Sequence, residues 1–417
     1  MLTLVWHNRA MSDAATGAIP ADFAAKRTRV AIFESYVFDE KLYGNARYIA
    51  SIFKYLDLHR FEPVLISPVK NKFVDVIDDL GGRHLVVQAP GPLRRYAGTI
   101  LTQGPLGKIA TAASIFWYSF RLGVCFLRER IDIVQCHSVR AVITAGLAVK
   151  LTGRPMIWYI KGELDNPLLD RIAFSLADSI LFQGETNMQR RYPGLAEKFR
   201  HKIEIVPNCI ELDRVTAVEN ADLSGLKREL DIDDGKINIV FVGVLIPTKG
   251  VDDLLVAMAH LREAVPNVRL YVVGDHGSDG YLDYRDKLEA QVMTRGLDEV
   301  VFTGWRDDVE AVVSLMDIYV LPSHAEGVST SAMEAMALGK AVLSTAVGSI
   351  PDLITNGQNG ITVRPHAPEE LAEQLIRLCR DPELRERLGR NARRCIFDNY
   401  SIQVNIDGLQ RIYPDLI

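Results

Sequence analysis

Short apolar runs bounded by polar, glycine or proline residues recur along this chain, mostly with helix-length segments between them, and this alternation restricts its fold most. RVAIFES (29–35), FEPVLISP, HLVVQAP, DIVQCHS, PMIWYIKG, SILFQGE and KIEIVPN make a first series. INIVFVGVL (237–245), VRLYVVGD (268–275), EVVFTG (299–304), IYVLPS (318–323), KAVLST (340–345) and GITVRP (360–365) make a second. Continuously apolar runs are strands covered on both faces, and helical crossovers between them make such strands parallel. The pattern predicts an α/β protein of two doubly wound, Rossmann-like domains, and 417 residues are too many for one ordinary core.

The charged stretch ELDRVTAVENADLSGLKRELDIDDGK separates the series. It places a first domain at 29–212, a linker at 213–236 and a second domain at 237–395. The amphipathic ending SIQVNIDGLQRIYPDLI predicts a helix within 396–417 that crosses back to the first domain. Residues 1–28 lack the apolar run and cleavage site of a signal peptide and read as a disordered tail, with Met11 an alternative start. Ligands of doubly wound sheets bind beyond the carboxyl ends of the strands, so two such domains facing across a cleft would line it with loops.

The balance of 48 Lys+Arg against 53 Asp+Glu offers no basic field for a nucleic acid. Cys125, Cys136, Cys209, Cys379 and Cys395 are scattered, with no C-x-x-C pair, which argues against a disulfide framework or zinc site and for a reducing, cytoplasmic setting. IATAASIFWYSFRLGVCFL (109–127) approaches membrane-spanning length. Because Arg121 lies inside it and a strand follows directly, the expectation is a helix buried between the sheet and its neighbours. Arg94, Arg95, Tyr96 and Lys108 just upstream also suit peripheral contact with the inner face of a membrane.

HAEGVSTSAMEAMALGKAVLSTAVGSIPDLI (324–354) carries the most chemistry. A strand ends at IYVLPS, HAEGVS is a loop, and TSAMEAMALG is a helix closing on Gly339. The run Ser329, Thr330, Ser331 then lies at a helix start, where free N–H groups favour an anion. Ser331-Ala-Met-Glu334 fits a capping box, a structural explanation of Glu334 that leaves the loop carboxylate Glu326 unexplained. Carboxylates accept well from sugar hydroxyls, and this pair is not spaced as the acid and base of a glycosidase. FVGVLIPTKGVDDLL (241–255) sets Gly243 after a strand and Lys249 before a helix. Neither it nor YGNAR (43–47) is a dinucleotide or P-loop fingerprint.

Taken together, E-G-x6-E-A-M-A-x-G-K-A-V, V-G-S-I-P-D-L-I, V-G-x4-T-K-G and D-I-Y-V-L-P-S resemble family four of the retaining glycosyltransferases, with the GT-B fold. The resemblance implies a UDP- or GDP-sugar donor, a glycan or lipid-linked acceptor held mainly by the first domain, retained anomeric configuration, and no cofactor or metal. It implies that Glu326 holds the sugar hydroxyls, Glu334 the ribose hydroxyls and Lys249 the diphosphate. Gly327, Val328 and Ser329 would lie along the sugar and phosphates, with Thr330 at the helix start. Trp305 and Arg306 would stand beside the base, and Gly44 would approach the diphosphate from the other domain.

Two positions depart from the family pattern. Val244 stands where an arginine usually pairs with the lysine on the diphosphate, and Lys161, in WYIKGEL, stands where many members have the active-site histidine. His137, in CHS, is a further active-site candidate or a histidine hydrogen-bonded at a strand end, and Glu163 lies on the acceptor side. Alternatives are a non-catalytic nucleotide-sugar-binding protein or a nucleotide-sugar epimerase on the same fold. Asp231-Ile-Asp233 resembles a metal-binding D-x-D but sits in the charged stretch and reads as a solvated turn.

Overall fold

A computed structural model describes residues 27–35, 44–94, 104–160, 166–276, 283–327 and 329–417. The expected tail up to residue 26, together with Arg95, Tyr96, Lys161, Glu163 and Val328, lies outside the described residues. The chain divides into two compact units, one made of residues up to Gln183, Tyr192–Val206 and Ile406–Ile417, the other of Gly184–Arg191 and Pro207–Asn405.

Each unit is built on one parallel sheet. The first contains β1 (Thr28–Phe33), β2 (Phe61–Ser67), β3 (Arg83–Val86), β4 (Ile133–Cys136), β5 (Met156–Tyr159), β6 (Ser179–Phe182) and β7 (Ile203–Ile205), in the order β3-β2-β1-β4-β5-β6-β7. The second contains β8 (Ile237–Val242), β9 (Val268–Val273), β10 (Val300–Gly304), β11 (Ile318–Leu321), β12 (Ala341–Thr345) and β13 (Ile361–Val363), in the order β10-β9-β8-β11-β12-β13. Each apolar run of the two series forms one of these strands. Central β4, β5, β6, β11 and β12 are buried throughout, whereas the edge strands β3 and β10 are only half-buried, as their position requires.

The division differs from the expected boundaries in four places, since 184–191 and 207–212, expected in the first domain, belong to the second unit. The stretch 213–236 is not a free linker: it forms helices Leu212–Glu219 and Ser224–Glu229 within the second unit. Val215, Leu230 and Ile232 enter that unit's core, and Arg214 pairs at 2.8 Å with the buried carboxylate of Glu310. Its high charge is that of a helix surface, with too few apolar positions to show a period. The chain also returns to the first unit at Ile406, within the helix Ile402–Ile412, later than position 396. There Tyr413 is fully buried, its ring 5.3 Å from that of Phe61, and its hydroxyl donates to Gln135 at 2.7 Å. Burial pushes that hydroxyl's pKa well above the ordinary range, so it remains a donor.

Segment 184–191 belongs to the second unit because Asp352 anchors it, accepting from the backbone N–H groups of Thr186 and Asn187 at 2.9 and 3.2 Å. These are unsatisfied donors at the start of the helix Glu185–Arg191, so Asp352 acts as a cap supplied from far along the chain. Asp352→Ala is expected to cost about 1–2 kcal/mol, read as a lower urea midpoint with unchanged slope.

The helix Pro105–Arg128 is not enclosed. Tyr118, Ser119, Leu122 and Phe126 are buried, but Leu106, Ile109, Phe116, Trp117, Phe120 and Leu127 are exposed. Composition hid this because both faces are apolar, leaving no periodic contrast to read.

Candidate active site

In the second sheet the strand order reverses between β8 and β11, and such a reversal leaves the loops after those two strands adjacent at the carboxyl edge. One loop passes through Gly243, whose N–H donates to Val273 at 3.0 Å, and the 3-10 turn Pro247–Lys249. The other runs from Pro322 to the helix Thr330–Ala337. Lys249 and Glu326, 77 positions apart, are thereby brought together, with Nζ 2.6 Å from Oε1. Ser323 Oγ donates to the same oxygen at 2.6 Å.

The Glu326 side chain is 5% exposed and that of Lys249 23%, so each charge depends on the other for solvation. Both contacts fall on Oε1, and among the described residues Oε2 receives no hydrogen bond. A carboxylate with one oxygen anchored and one open can accept from an approaching hydroxyl, while the ammonium retains N–H donors for an anion.

The two loops hold one another. His324 N–H donates to Thr248 at 2.8 Å, and the Thr345 hydroxyl at the end of β12 donates to the carbonyl of Ser323. Behind Glu326, Ser349 N–H donates to Gly327 at 3.2 Å. Gly348, at φ +58°, fits so closely that a Cβ there would lie 2.0 Å from the Glu326 carbonyl oxygen.

The helix start departs from the capping box. Its cap is Ser329, whose Oγ accepts from Ala332 N–H at 3.3 Å. Ser331 instead accepts from the Tyr319 hydroxyl at 2.7 Å. Burial, with the charges of Glu326 and Glu334 adding to it, pushes the Tyr319 pKa above the ordinary range and keeps that hydroxyl a donor. Half-buried Glu334 is therefore not explained as the partner of a Ser331 cap. Thr330 is the first residue of the helix, beside the free N–H groups expected there.

Trp305 and Arg306 follow β10. Trp305 is 48% exposed, and Arg306 holds Asp308 at 2.7 and 2.8 Å and Glu229 at 2.7 Å. These carboxylates raise the arginine's pKa still further, and its hydrogen bonds hold Asp308 below the usual carboxylate range. Arg190 donates to the carbonyl of Gly348 at 3.4 Å and so brings a guanidinium to the loop behind Glu326.

In the first unit, His137 follows β4 and is 1% exposed, enclosed by Gln135 at 3.1 Å and the rings of Tyr48 and Tyr159. Gly44 opens the helix Gly44–Tyr55. The strand order of this sheet reverses between β1 and β4, and there Glu34, overlooked in the sequence, is buried. It accepts from Ser35 N–H and from Asn45 in the first turn of the helix Gly44–Tyr55, both at 2.8 Å. The signal for it was the polar ending of RVAIFES.

Among the described residues one cluster could hold a cation: Asp253, His324 and His366 offer ligand atoms within 4.8 Å of one another. His324 Nε2 lies 2.9 Å from Asp253, and the two imidazoles lie tilted at 34° with their centroids 3.7 Å apart. Asp231 and Asp233 do not converge, since Asp231 pairs with Arg269 at 2.9 Å and Asp233 accepts from Gly235 N–H at 2.8 Å.

Residues 225–395 match the family described as glycosyl transferases group 1. The capsular polysaccharide biosynthesis glycosyltransferase CapM of Staphylococcus aureus is 24% identical over 354 residues, 79% of this chain and 89% of that protein. A D-inositol 3-phosphate glycosyltransferase of Segniliparus rotundus is 31% identical over 309 residues, 72% of this chain and 65% of the relative. Among solved structures, a glycosyltransferase from Rickettsia africae ESF-5 matches with a TM-score of 0.77 at 16% identity, covering 94% of this chain and 99% of its own. Anabaena Alr3699/HepE, solved with UDP and glucose, matches with a TM-score of 0.71 at 18% identity, covering 93% and 99%. The two doubly wound units thus have the GT-B fold, and residues 225–395 carry the pattern of the glycosyl transferases group 1 family.

Proposed function

We propose that this glycosyltransferase moves a hexose from a UDP- or GDP-sugar to a growing glycan or lipid-linked saccharide, retaining the anomeric configuration and needing no metal. The partly buried Lys249–Glu326 pair at the β8/β11 reversal carries this reading. Lys249 and the N–H groups at the start of Thr330–Ala337 would take the charge that develops on the leaving diphosphate. Glu326 would receive the sugar hydroxyls on Oε2 and Glu334 those of the ribose, with Trp305 beside the base. Arg190 would supply part of the charge that Val244 cannot. His137 and Lys161 would serve near the reacting sugar, Gly44 near the diphosphate and Glu163 near the acceptor. The likeness to HepE, solved with UDP and glucose, supports a nucleotide-sugar donor, and that to CapM supports a polysaccharide product.

Calorimetry over a panel of UDP- and GDP-sugars, followed by product analysis with candidate acceptors in EDTA, tests the proposal. One donor should bind and be consumed only when acceptor is present. A donor bound but never consumed would mark a binding protein, and conversion without acceptor an epimerase; either overturns it. Glu334→Gln should raise the donor Kd about tenfold with kcat within about twofold, because a ribose contact is the same in ground and transition states.

A further inference from the structure

The helix Pro105–Arg128 presents an apolar face that the first unit leaves open. At about 100° per residue, Leu106, Ile109, Phe116, Trp117, Phe120 and Leu127 fall within an arc of about 100°. These side chains are 51–84% exposed, and the rings of Trp117 and Phe120 stack at 6.0 Å. The opposite face is tied down, because the Tyr118 hydroxyl donates to Val87 at 2.7 Å and Ser119 Oγ accepts from Ala148 N–H at 2.8 Å. A helix anchored in this way along one side cannot thread a bilayer, although its length and hydropathy would permit it. It can lie along one.

Charge selects the partner. The helix contains Lys108, Arg121 and Arg128 and no Asp or Glu. Lys108 and Arg128 are exposed, and the half-buried Arg121 donates to Gln88 at 2.7 Å. By the same rotation Arg121 and Arg128 lie within about 40° of one edge of the apolar arc, where anionic head groups would meet them once the rings enter the acyl boundary, while Lys108 lies on the far side of the helix start. Arg94, exposed at the end of the turn Gly91–Arg94, adds a fourth cation upstream.

We propose that this face docks the enzyme on an anionic lipid surface, with the helix lying in the plane of the interface. The inference deepens the proposed function and rests on it in one respect, since docking would bring the active site to lipid-linked acceptors.

Vesicle co-sedimentation of the full chain tests it, with phosphatidylcholine alone and with equal parts phosphatidylcholine and phosphatidylglycerol. Arg121 and Arg128, each worth roughly fivefold, predict a preference for anionic vesicles on the order of twentyfold, weakening with salt. Tryptophan emission should shift to the blue on binding, and Trp117→Phe should abolish most of the shift. Phe116→Ser/Phe120→Ser should lose binding at least tenfold with unchanged thermal unfolding. Turnover of a water-soluble acceptor should stay within about twofold, these side chains being remote in sequence from both donor loops.

Absence of vesicle binding, or binding indifferent to the double variant, overturns the proposal. So does dimerisation lost in that variant without lipid binding, which would make the face a contact between copies. If vesicles bind as described and no donor is consumed, the docking stands and the proposed function falls.

Discussion

With Lys249 replaced by methionine, kcat/KM for the donor is expected to fall by about 10²- to 10³-fold, the loss that follows removal of one charge-stabilising donor from a partly desolvated site. Two effects combine. The diphosphate would lose its ammonium, and the Glu326 carboxylate, 5% exposed, would keep only the Ser323 hydroxyl on Oε1. Breaking the pair should also destabilise the second unit, by about 1–3 kcal/mol, because the 23% exposure of Lys249 discounts the cost of a fully buried pair. Lys249→Arg is not expected to restore the rate, since a planar fork does not fit a single-oxygen contact made at the end of a 3-10 turn. Steady-state kinetics with the identified donor, and urea unfolding of the variant beside the parent, would measure both effects. A rate within threefold of the parent would remove Lys249 from the mechanism.

Gly348→Val is the second large effect, and it acts without touching a charged group. At φ +58° a β-branched residue is strained, and its Cβ would begin 2.0 Å from the carbonyl oxygen of Glu326. Since an ordinary contact needs well over 3 Å, the loop has to retreat by about 1 Å or more. Displacing a positioned carboxylate by that distance costs about 10²-fold in kcat/KM, with the strain adding about 1–3 kcal/mol of destabilisation. The expected signature is a loss concentrated in kcat, with calorimetric affinity for the free nucleoside diphosphate changed less than the affinity for the whole sugar nucleotide. Equal loss of both would show that Gly348 supports the diphosphate rather than the sugar end.

Much of the fold was legible because parallel strands covered on both faces must be apolar along their length, so each of the runs from RVAIFES to GITVRP declared itself locally. What could not be read locally was adjacency. Nothing in FVGVLIPTKG or HAEGVS says that their strands are neighbours; that follows from the order β10-β9-β8-β11-β12-β13, and only then does Lys249 meet Glu326. The capping box was misplaced because Ser329 and Ser331 both offer a hydroxyl at the helix start, and the choice was made by Tyr319 on the neighbouring strand, which draws Ser331 away. Gly348 was visible as a glycine, but its role depends on the carbonyl it faces. The charged stretch 213–236 misled for the opposite reason, its few apolar residues being enough to dock two short helices.

The chain leaves the first unit after Gln183, returns for Tyr192–Val206, leaves again, and comes back at Ile406. During synthesis, then, Gln135 and Phe61 emerge long before Tyr413, the residue that fills the space beside them. A nascent first unit would have to wait, with that part of its interior open to chaperones, while the whole second unit is translated, and a ribosome stalled before the last turn of helix would release a protein whose earlier half is the unfinished one.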